Sequence, residues 1–385
     1  MSAPTALRVV VIAPLRFPLR PPHAGGLESA VWAEVDALRR RGHEVTFIAP
    51  AGSDFTDAGG PFRLPPVRWP EAADPTDLTW PSSFHDDVVP ALERALTALS
   101  GSGDRFDVIS NHCLHPLPLL RAPHLPVPMV TTLHTPVDPE FVAAHHAAGG
   151  CGSRFISVSD HTRREWARAG VPSRLLPNGV DPERWRRGSG GGGLVWFGRI
   201  VPEKGPHVAA QIARRLGVPL TIAGRIGDRR YADEMLRPLL GGDVRYAGTL
   251  GPRELSALVG GADTVLVTPE WEEPFGLVGP ESLMCGTPVV AFGVGGIPEI
   301  AAATTGMRVV APGDVEAMGL AVAENLAAPA DGARRDQIRA AAVARFSLTA
   351  RTERLEALLS GMRAPSTSRA TPRETPGVGA WEVSA

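Results

Sequence analysis

The stretch Gly188-Ser189-Gly190-Gly191-Gly192-Gly193-Leu194-Val195-Trp196-Phe197-Gly198-Arg199-Ile200-Val201-Pro202-Glu203-Lys204-Gly205 lies near the middle of a 385-residue chain and divides it. Its first six residues are glycine and serine only, the composition of a flexible linker. A fresh strand follows at once over 194–197, then a glycine-containing turn, then the start of a helix. Strand, turn and helix start in that order form the place where an α/β protein receives an anion. Lys204 stands in that turn. It is the one lysine among 39 basic side chains, the other 38 being arginine. A chain so biased toward arginine keeps a lysine where a compact ammonium is wanted and a planar guanidinium would not fit.

On both sides of the linker, short β-branched runs alternate with helical patterns, the signature of parallel βαβ units. Before it, strands are expected at 8–13, 44–49, 107–110, 129–134 and 154–158. A helix at 27–41 carries its apolar residues on one face and stops at Gly42. Ser159, ahead of Asp160, is a good N-cap for a helix running to 169. Residues 51–82, rich in Pro, Gly and Trp, read as an irregular excursion. After the linker, strands are expected at 194–197, 220–223, 244–246, 264–268, 288–292 and 307–310. Helices fall at 206–216, 252–259 and 315–327, and two more at 333–345 and 348–362 close the chain. The Pro/Ser/Thr-rich end, 363–385, is expected to be disordered. The fold class is therefore α/β, with two doubly wound domains at 1–187 and 194–347 and a linker at 188–193. Such a pair places a cleft between the carboxyl edges of two parallel sheets.

Composition narrows the function classes. The chain is longer than one hydrophobic core usually serves. Hydrophobic content of 43% and charged content of 21% are those of a globular protein, and a net charge of −2 gives no reason to expect a nucleic-acid partner. Cys113, Cys151 and Cys285 are odd in number and far apart, so all three are expected as buried small hydrophobes. The N-terminal run stops at Pro14 without a signal pattern, and no apolar stretch approaches the ~20 residues of a membrane span. The expected location is cytoplasmic, with at most a weak peripheral membrane contact through exposed arginines. No GxGxxG follows either first strand, which argues against a dinucleotide enzyme, and no cofactor is expected. His112-Cys113-Leu114-His115 lacks a spaced partner pair, so it reads as a cleft-edge loop and no metal site is assigned.

A second motif carries more chemistry. Glu270-Trp271-Glu272-Glu273-Pro274-Phe275-Gly276-Leu277-Val278-Gly279-Pro280-Glu281 follows a buried strand, and a helix is expected to start near Gly276, because Pro280 fits only in a first turn. Glu273 then sits in the loop at the sheet edge and Glu281 about a turn into the helix, with the amides of Gly276 and Leu277 toward the cleft. Carboxylates accept from sugar hydroxyls, and helix-start amides donate to phosphate. In the first half, Gly25-Gly26 before the 27–41 helix would let backbone amides approach a phosphate, although on this pair alone a simple turn is the favoured reading.

Taken in order, these elements resemble the retaining GT-B glycosyltransferases of the family 4 type. The matching pieces are Gly25-Gly26; His134 in Thr132-Leu133-His134-Thr135-Pro136; Pro177-Asn178-Gly179-Val180-Asp181; Gly198-Arg199 with Lys204-Gly205; Ala223-Gly224; Gly248; Glu273-Pro274-Phe275-Gly276-Leu277 with Glu281; and Gly295-Gly296-Ile297-Pro298-Glu299. They cover nearly residues 8–360. Gly279-Pro280 and Ser282 depart from the commonest pattern without removing a functional group.

The resemblance implies a GT-B fold of two Rossmann-like domains, the N-terminal one for the acceptor and the C-terminal one for a nucleotide-sugar donor. It also implies that the 348–362 helix packs back on the N-terminal domain. Arg199 and Lys204 would neutralise the donor diphosphate, which would lie between Lys204 and the Glu273 loop. Glu281 would accept from the ribose and Glu273 from the donor sugar. Phe275, Gly276 and Leu277 would lend backbone donors; His134 would face the anomeric region, and Gly25 and Gly26 the phosphate. Arg225 and the stretch Tyr246, Gly248, Thr249 and Leu250 would border the base, beside Gly198. The implied activity is retaining, metal-independent transfer of a hexosyl group from a UDP-glucose-like donor, with GDP-mannose second, to an acceptor that is a small molecule, lipid or glycan. A sugar-nucleotide epimerase of the same fold and a silent nucleotide-sugar binding protein are the alternatives. Oligomeric state is not encoded in any of these motifs.

Overall fold

The computed structural model describes residues 6–56, 59–70, 79–328 and 332–362. It contains two six-stranded sheets, and every strand pair in both is parallel. The first holds β1 (Arg8–Ile12), β2 (Glu44–Ile48), β3 (Val108–Asn111), β4 (Met129–Leu133), β5 (Ser153–Ser157) and β6 (Arg174–Leu175) in the order β2-β1-β3-β4-β5-β6. The second holds β7 (Leu194–Phe197), β8 (Leu220–Ala223), β9 (Val244–Tyr246), β10 (Thr264–Val267), β11 (Val289–Phe292) and β12 (Met307–Val310) in the order β12-β11-β10-β7-β8-β9. Central strands such as β3, β7 and β10 are buried along their whole length, as parallel strands covered by helices on both faces must be. This is the doubly wound GT-B architecture that the motif order implied.

The strand orders fix where a ligand can bind. In each sheet the chain winds one way, then returns to the middle and winds the other way. The switch falls between β1 and β3 in the first sheet and between β7 and β10 in the second. Loops leaving neighbouring strands diverge there and open a crevice at the carboxyl edge. The two charged motifs of the second half, after β7 and after β10, therefore emerge side by side.

The helices follow local sequence closely. Helix Gly26–Arg40 buries Val31, Val35 and Leu38. Helix Asp160–Arg168 is capped by Ser159, whose hydroxyl accepts from the Thr162 amide at 3.0 Å. Helix Pro206–Leu216 ends at Gly217, whose φ of +63° suits the left-handed cap. The excursion at 51–82 is irregular in its described part apart from a bridge between Pro50 and Leu64, and a helical turn opens at its end; residues 57–58 and 71–78 lie outside the described residues. The 363–385 end, expected to be disordered, also lies outside them.

Two expectations need correction. The 188–193 segment is not a free linker. Gly188 donates to Cys285 O at 3.1 Å, Gly190 to Gly260 O at 3.1 Å and Gly192 to Gly261 O at 2.9 Å, while Gly191 and Gly193 donate to the Asp263 carboxylate. A Cβ on Gly188 would stand 2.1 Å from Gly260 O, so its glycine serves close backbone approach rather than looseness. The second concerns cysteine: Cys113 and Cys285 are buried, but Cys151 is exposed, after a turn through Gly149 and Gly150.

The last helix, Leu348–Ser360, leaves the second sheet's layers and lies on helix Gly26–Arg40. Leu355 and Leu359 join the core of the first sheet, and Arg41 and His43 both meet Glu356. Among the described residues no helix is long and apolar enough to cross a membrane.

Candidate active site

The turn after β7 is built on Thr268 at the end of β10. The Thr268 hydroxyl donates to Gly205 O at 2.7 Å and accepts from the Trp196 indole at 3.0 Å, so neighbouring strands hold the turn from beneath. Gly205 has φ +60°, and a Cβ there would meet Thr268 O at 2.2 Å. This locks the Lys204 backbone. Its ammonium sits 4.7 Å above the Trp271 ring and pairs with Glu273, whose same oxygen accepts from the Trp271 indole at 3.0 Å. The ammonium of Lys204 and the carboxylate of Glu273, expected on either side of a diphosphate, pair directly with each other. Arg199 lies 3.6 Å from Glu203, and its side chain reaches toward Gly25 in the other half, 3.7 Å from where a Cβ on that glycine would be.

The loop bearing Glu273 is fixed from the other side by the glycine turn before helix Ile297–Ala303. Gly296 donates to Glu273 O at 2.8 Å, and Gly295, at φ +58°, approaches so closely that a Cβ would stand 2.0 Å from that oxygen. Gly276 takes φ +89° and packs on Ile297; Phe275 is buried. Helix Val278–Met284 starts just beyond Leu277 and holds Pro280 in its first turn. Across the cleft, helix Gly26–Arg40 begins at Gly25 without a side-chain cap, leaving its first amides to other partners. A Cβ on Gly26 would be 3.3 Å from Leu277. The two helix starts thus face each other.

Glu281 is buried, and burial pushes its carboxyl up to about 8, against the pull of the nearby Arg184 guanidinium. Arg184 contacts His23 at 3.2 Å, and burial followed by that guanidinium takes His23 down to about 3. Neither Arg184 nor His23 was singled out from sequence. Arg184 lies three residues past the Pro177–Asp181 motif, and that proximity was the available signal.

The residues expected at the base occupy the end of β9 and the loops after β8 and β9. Gly224 donates to Gly248 O at 2.9 Å, and Gly224 approaches Gly198 so closely that a Cβ would stand 1.8 Å from its oxygen. The Tyr246 hydroxyl donates to Gly224 O at 2.6 Å, Thr249 is exposed, and Leu250 packs on the second-half core. Arg225 stacks over Phe17 of the first half, 5.0 Å from the ring centre.

His134 follows β4 and is partly buried. Its Nε2 lies 2.9 Å from Nδ1 of His112, which follows the neighbouring strand β3. His112 Nε2 is 2.9 Å from Glu34 on helix Gly26–Arg40, Ser110 donates to the same Glu34 oxygen at 2.9 Å, and Arg351 holds the other at 2.8 Å. Burial holds His134 well below the ordinary imidazole range. Burial alone would raise Glu34, but His112 and Arg351 outweigh it and keep the carboxylate below its usual range. Among the described residues no group of three or more His, Cys, Asp or Glu side chains is arranged to hold a metal ion.

Comparison with known proteins accords with this geometry. Residues 24–184 match Glycosyltransferase Family 4, and residues 185–344 match Glycosyl transferases group 1. A glycogen synthase of Mycobacterium tuberculosis is 30% identical over 367 residues, covering 81% of this chain and 84% of that protein. A phosphatidyl-myo-inositol mannosyltransferase of Mycolicibacterium smegmatis is 27% identical over 371 residues, covering 89% and 88%. The structure of Anabaena HepE in complex with UDP and glucose superposes with a TM-score of 0.70 at 18% identity, over 92% of this chain and 99% of that one.

Proposed function

The chain belongs to the group 1 glycosyltransferases, and from that premise we propose that it moves a hexosyl group from a nucleotide diphosphate sugar to an acceptor with retention of configuration. The observation that carries this reading is the meeting of Arg199, Lys204 and the Glu273 loop at the β7/β10 switch point, opposite the uncapped helix start at Gly25-Gly26.

The chemistry follows from charge. As the glycosidic bond breaks, negative charge grows on a phosphate oxygen of the departing diphosphate. Arg199, Lys204 and helix-start amides are fixed before the reaction, so they stabilise that charge without reorganising. These two cations supply what a divalent metal would otherwise supply, and the reading needs no metal. In this reading Lys204 exchanges Glu273 for phosphate, which frees the carboxylate to accept from hydroxyls of the donor sugar. Glu281 accepts from the ribose. The acceptor attacks on the leaving-group face, and the departing phosphate takes its proton, so no protein nucleophile is required.

UDP-glucose or a similar UDP-hexose is the first donor and GDP-mannose the second. The UDP and glucose in HepE support the former, and the mannosyltransferase relative supports the latter. Thermal unfolding in the presence of UDP-, GDP- and ADP-hexoses tests this, because a ligand of the native state raises Tm. A rise with UDP-glucose together with slow release of UDP supports the assignment. No rise with any of the three, and no release of nucleotide diphosphate, overturns it.

A further inference from the structure

The chain Arg351–Glu34–His112–His134 joins three parts of the molecule distant in sequence: helix Gly26–Arg40, the ends of β3 and β4, and the closing helix Leu348–Ser360. Glu34 and His112 are each 1% exposed, so every polar atom there must be satisfied internally.

The bonds fix the protons in order. Arg351 provides the single positive charge that the Glu34 carboxylate requires, at 2.8 Å. An ionised carboxylate only accepts, so the His112 Nε2 at 2.9 Å must carry a hydrogen. Arg351 already balances the Glu34 charge, so an added proton on His112 would leave this buried cluster with a net positive charge; His112 therefore bonds as a neutral imidazole and its Nδ1 is an acceptor. The hydrogen in the 2.9 Å contact between the two rings then belongs to His134 Nε2. The remaining nitrogen of His134, Nδ1, has no partner among the described residues.

We propose that Glu34 and His112 are positioning residues for His134: acting in series, they set its tautomer so that a bare Nδ1 is presented to the cleft as a hydrogen-bond acceptor. A sugar hydroxyl, from donor or acceptor, is the group such a nitrogen receives. Arg351 extends the control to the closing helix. The junction ahead of that helix is tied by Val180 N to Phe346 O at 2.8 Å and Leu348 N to Val180 O at 2.9 Å, and a Cβ on Gly179 would stand 2.7 Å from the Leu348 backbone. The helix that carries Arg351 is therefore held at its first turn, and the guanidinium is placed on Glu34 by backbone contacts rather than by its own flexibility. The catalytic consequence rests on the glycosyltransferase reading above; the tautomer itself does not.

The first measurement is made on the wild-type protein labelled with 15N-histidine, with His134 assigned by comparison with His134→Ala. Two-bond 1H–15N spectra report which ring nitrogen carries hydrogen. The expected result is Nε2 protonated and Nδ1 bare; Nδ1 protonated and Nε2 bare overturns the proposal without any variant having to fold. The second is a cycle in the transfer assay with Glu34→Gln, His134→Ala and the double variant, each checked for an unchanged unfolding profile. Groups acting in series are strongly non-additive. Each single change is expected to lower kcat/KM about tenfold or more, with the double variant no worse than His134→Ala. Multiplicative losses would mean that Glu34 acts only on the fold, and would overturn the relay. If the wild type transfers from none of the UDP-, GDP- or ADP-hexoses, the glycosyltransferase donor assignment fails, while the spectra still decide the tautomer.

Discussion

Glu281→Gln isolates a buried carboxylate in helix Val278–Met284. The group stands at about 8 where an ordinary glutamate stands at 4.5, with burial as the main cause and Arg184 opposing it. The difference is about 3.5 units, and at 1.36 kcal/mol per unit it amounts to roughly 5 kcal/mol between protonated and ionised forms. The sign follows from linkage. Between about pH 4.5 and 8 the native protein keeps a proton that the unfolded chain has lost, so stability falls as pH rises through this window and levels off above it. Glutamine is neutral and of the same shape, so the variant lacks that slope while all other titrating groups are common to both proteins. Urea unfolding of the two proteins at several pH values between about 5 and 9 gives the comparison. The wild type is expected to lose up to roughly 5 kcal/mol relative to Glu281→Gln across the window. A pH-independent difference between them would refute the buried, protonated carboxylate. In the proposed function, ribose hydroxyls favour the ionised form, so donor binding near pH 6.5 releases a proton in the wild type and none in the variant. Calorimetry in buffers of different ionisation enthalpy reads that proton directly.

Lys204→Ala is expected to lower the transfer rate roughly 10²- to 10³-fold, the scale for removing one fixed group that stabilises transition-state charge. Lys204→Arg should restore little of it, because the ammonium fits between the Trp271 ring and Glu273; full activity of the arginine variant in the transfer assay would show that compactness is irrelevant. Gly205→Ala places a Cβ 2.2 Å from Thr268 O at φ +60°, so a loss of ~2 kcal/mol or more is expected in denaturant unfolding, and an unchanged midpoint would contradict the close approach. Arg335→Met removes a buried guanidinium that donates to Gly188 O, Gly260 O, Ala262 O and the Thr287 hydroxyl at 2.7–3.0 Å. Losing those four hydrogen bonds should cost ~3 kcal/mol or more in the same experiment, and should loosen the 188–193 segment toward proteolysis.

Much of the fold was readable because parallel sheets write themselves into sequence as short apolar runs. The strands at 194–197, 220–223, 244–246 and 307–310 fall where the runs predict. The two-residue β6 is exposed and has no such run, and the glycines of 188–193 misled because close packing and flexibility draw on the same residue. The turns after β7 and β10, which carry Lys204 and Glu273, were legible through strand–turn–helix chemistry. Their direct pairing was not, since no local pattern encodes which loop meets which across a switch point. The Glu34–His112 pair was invisible for a different reason. Glu34 looks like a polar position on an amphipathic helix, and only the placement of β3, β4 and the closing helix turns that position inward.

The structure also shows that the glutamate loop belongs to both halves of the molecule. Glu299, in the helix after the Gly295-Gly296 turn, accepts from the Asp160 and His161 amides at 2.7 and 2.5 Å. Those amides are the positive start of helix Asp160–Arg168, a favourable place for a carboxylate. The Thr162 hydroxyl donates to Pro274 O at 3.2 Å, and His161 stands 3.3 Å from Glu272. Glu273 therefore lies between two contacts to the first half, and its carbonyl is held by the same glycine turn that precedes Glu299. A movement that separated the halves at this edge would have to break the carboxylate–amide bonds of Glu299 and release one support of the Glu273 loop together. The loop's position at the cleft is thus a property of the assembled pair of sheets, whereas the backbone of Lys204 is locked on Thr268 within the second sheet. In the proposed function, the cations for the departing diphosphate are then built into one sheet, while the carboxylate that would receive the sugar depends on both.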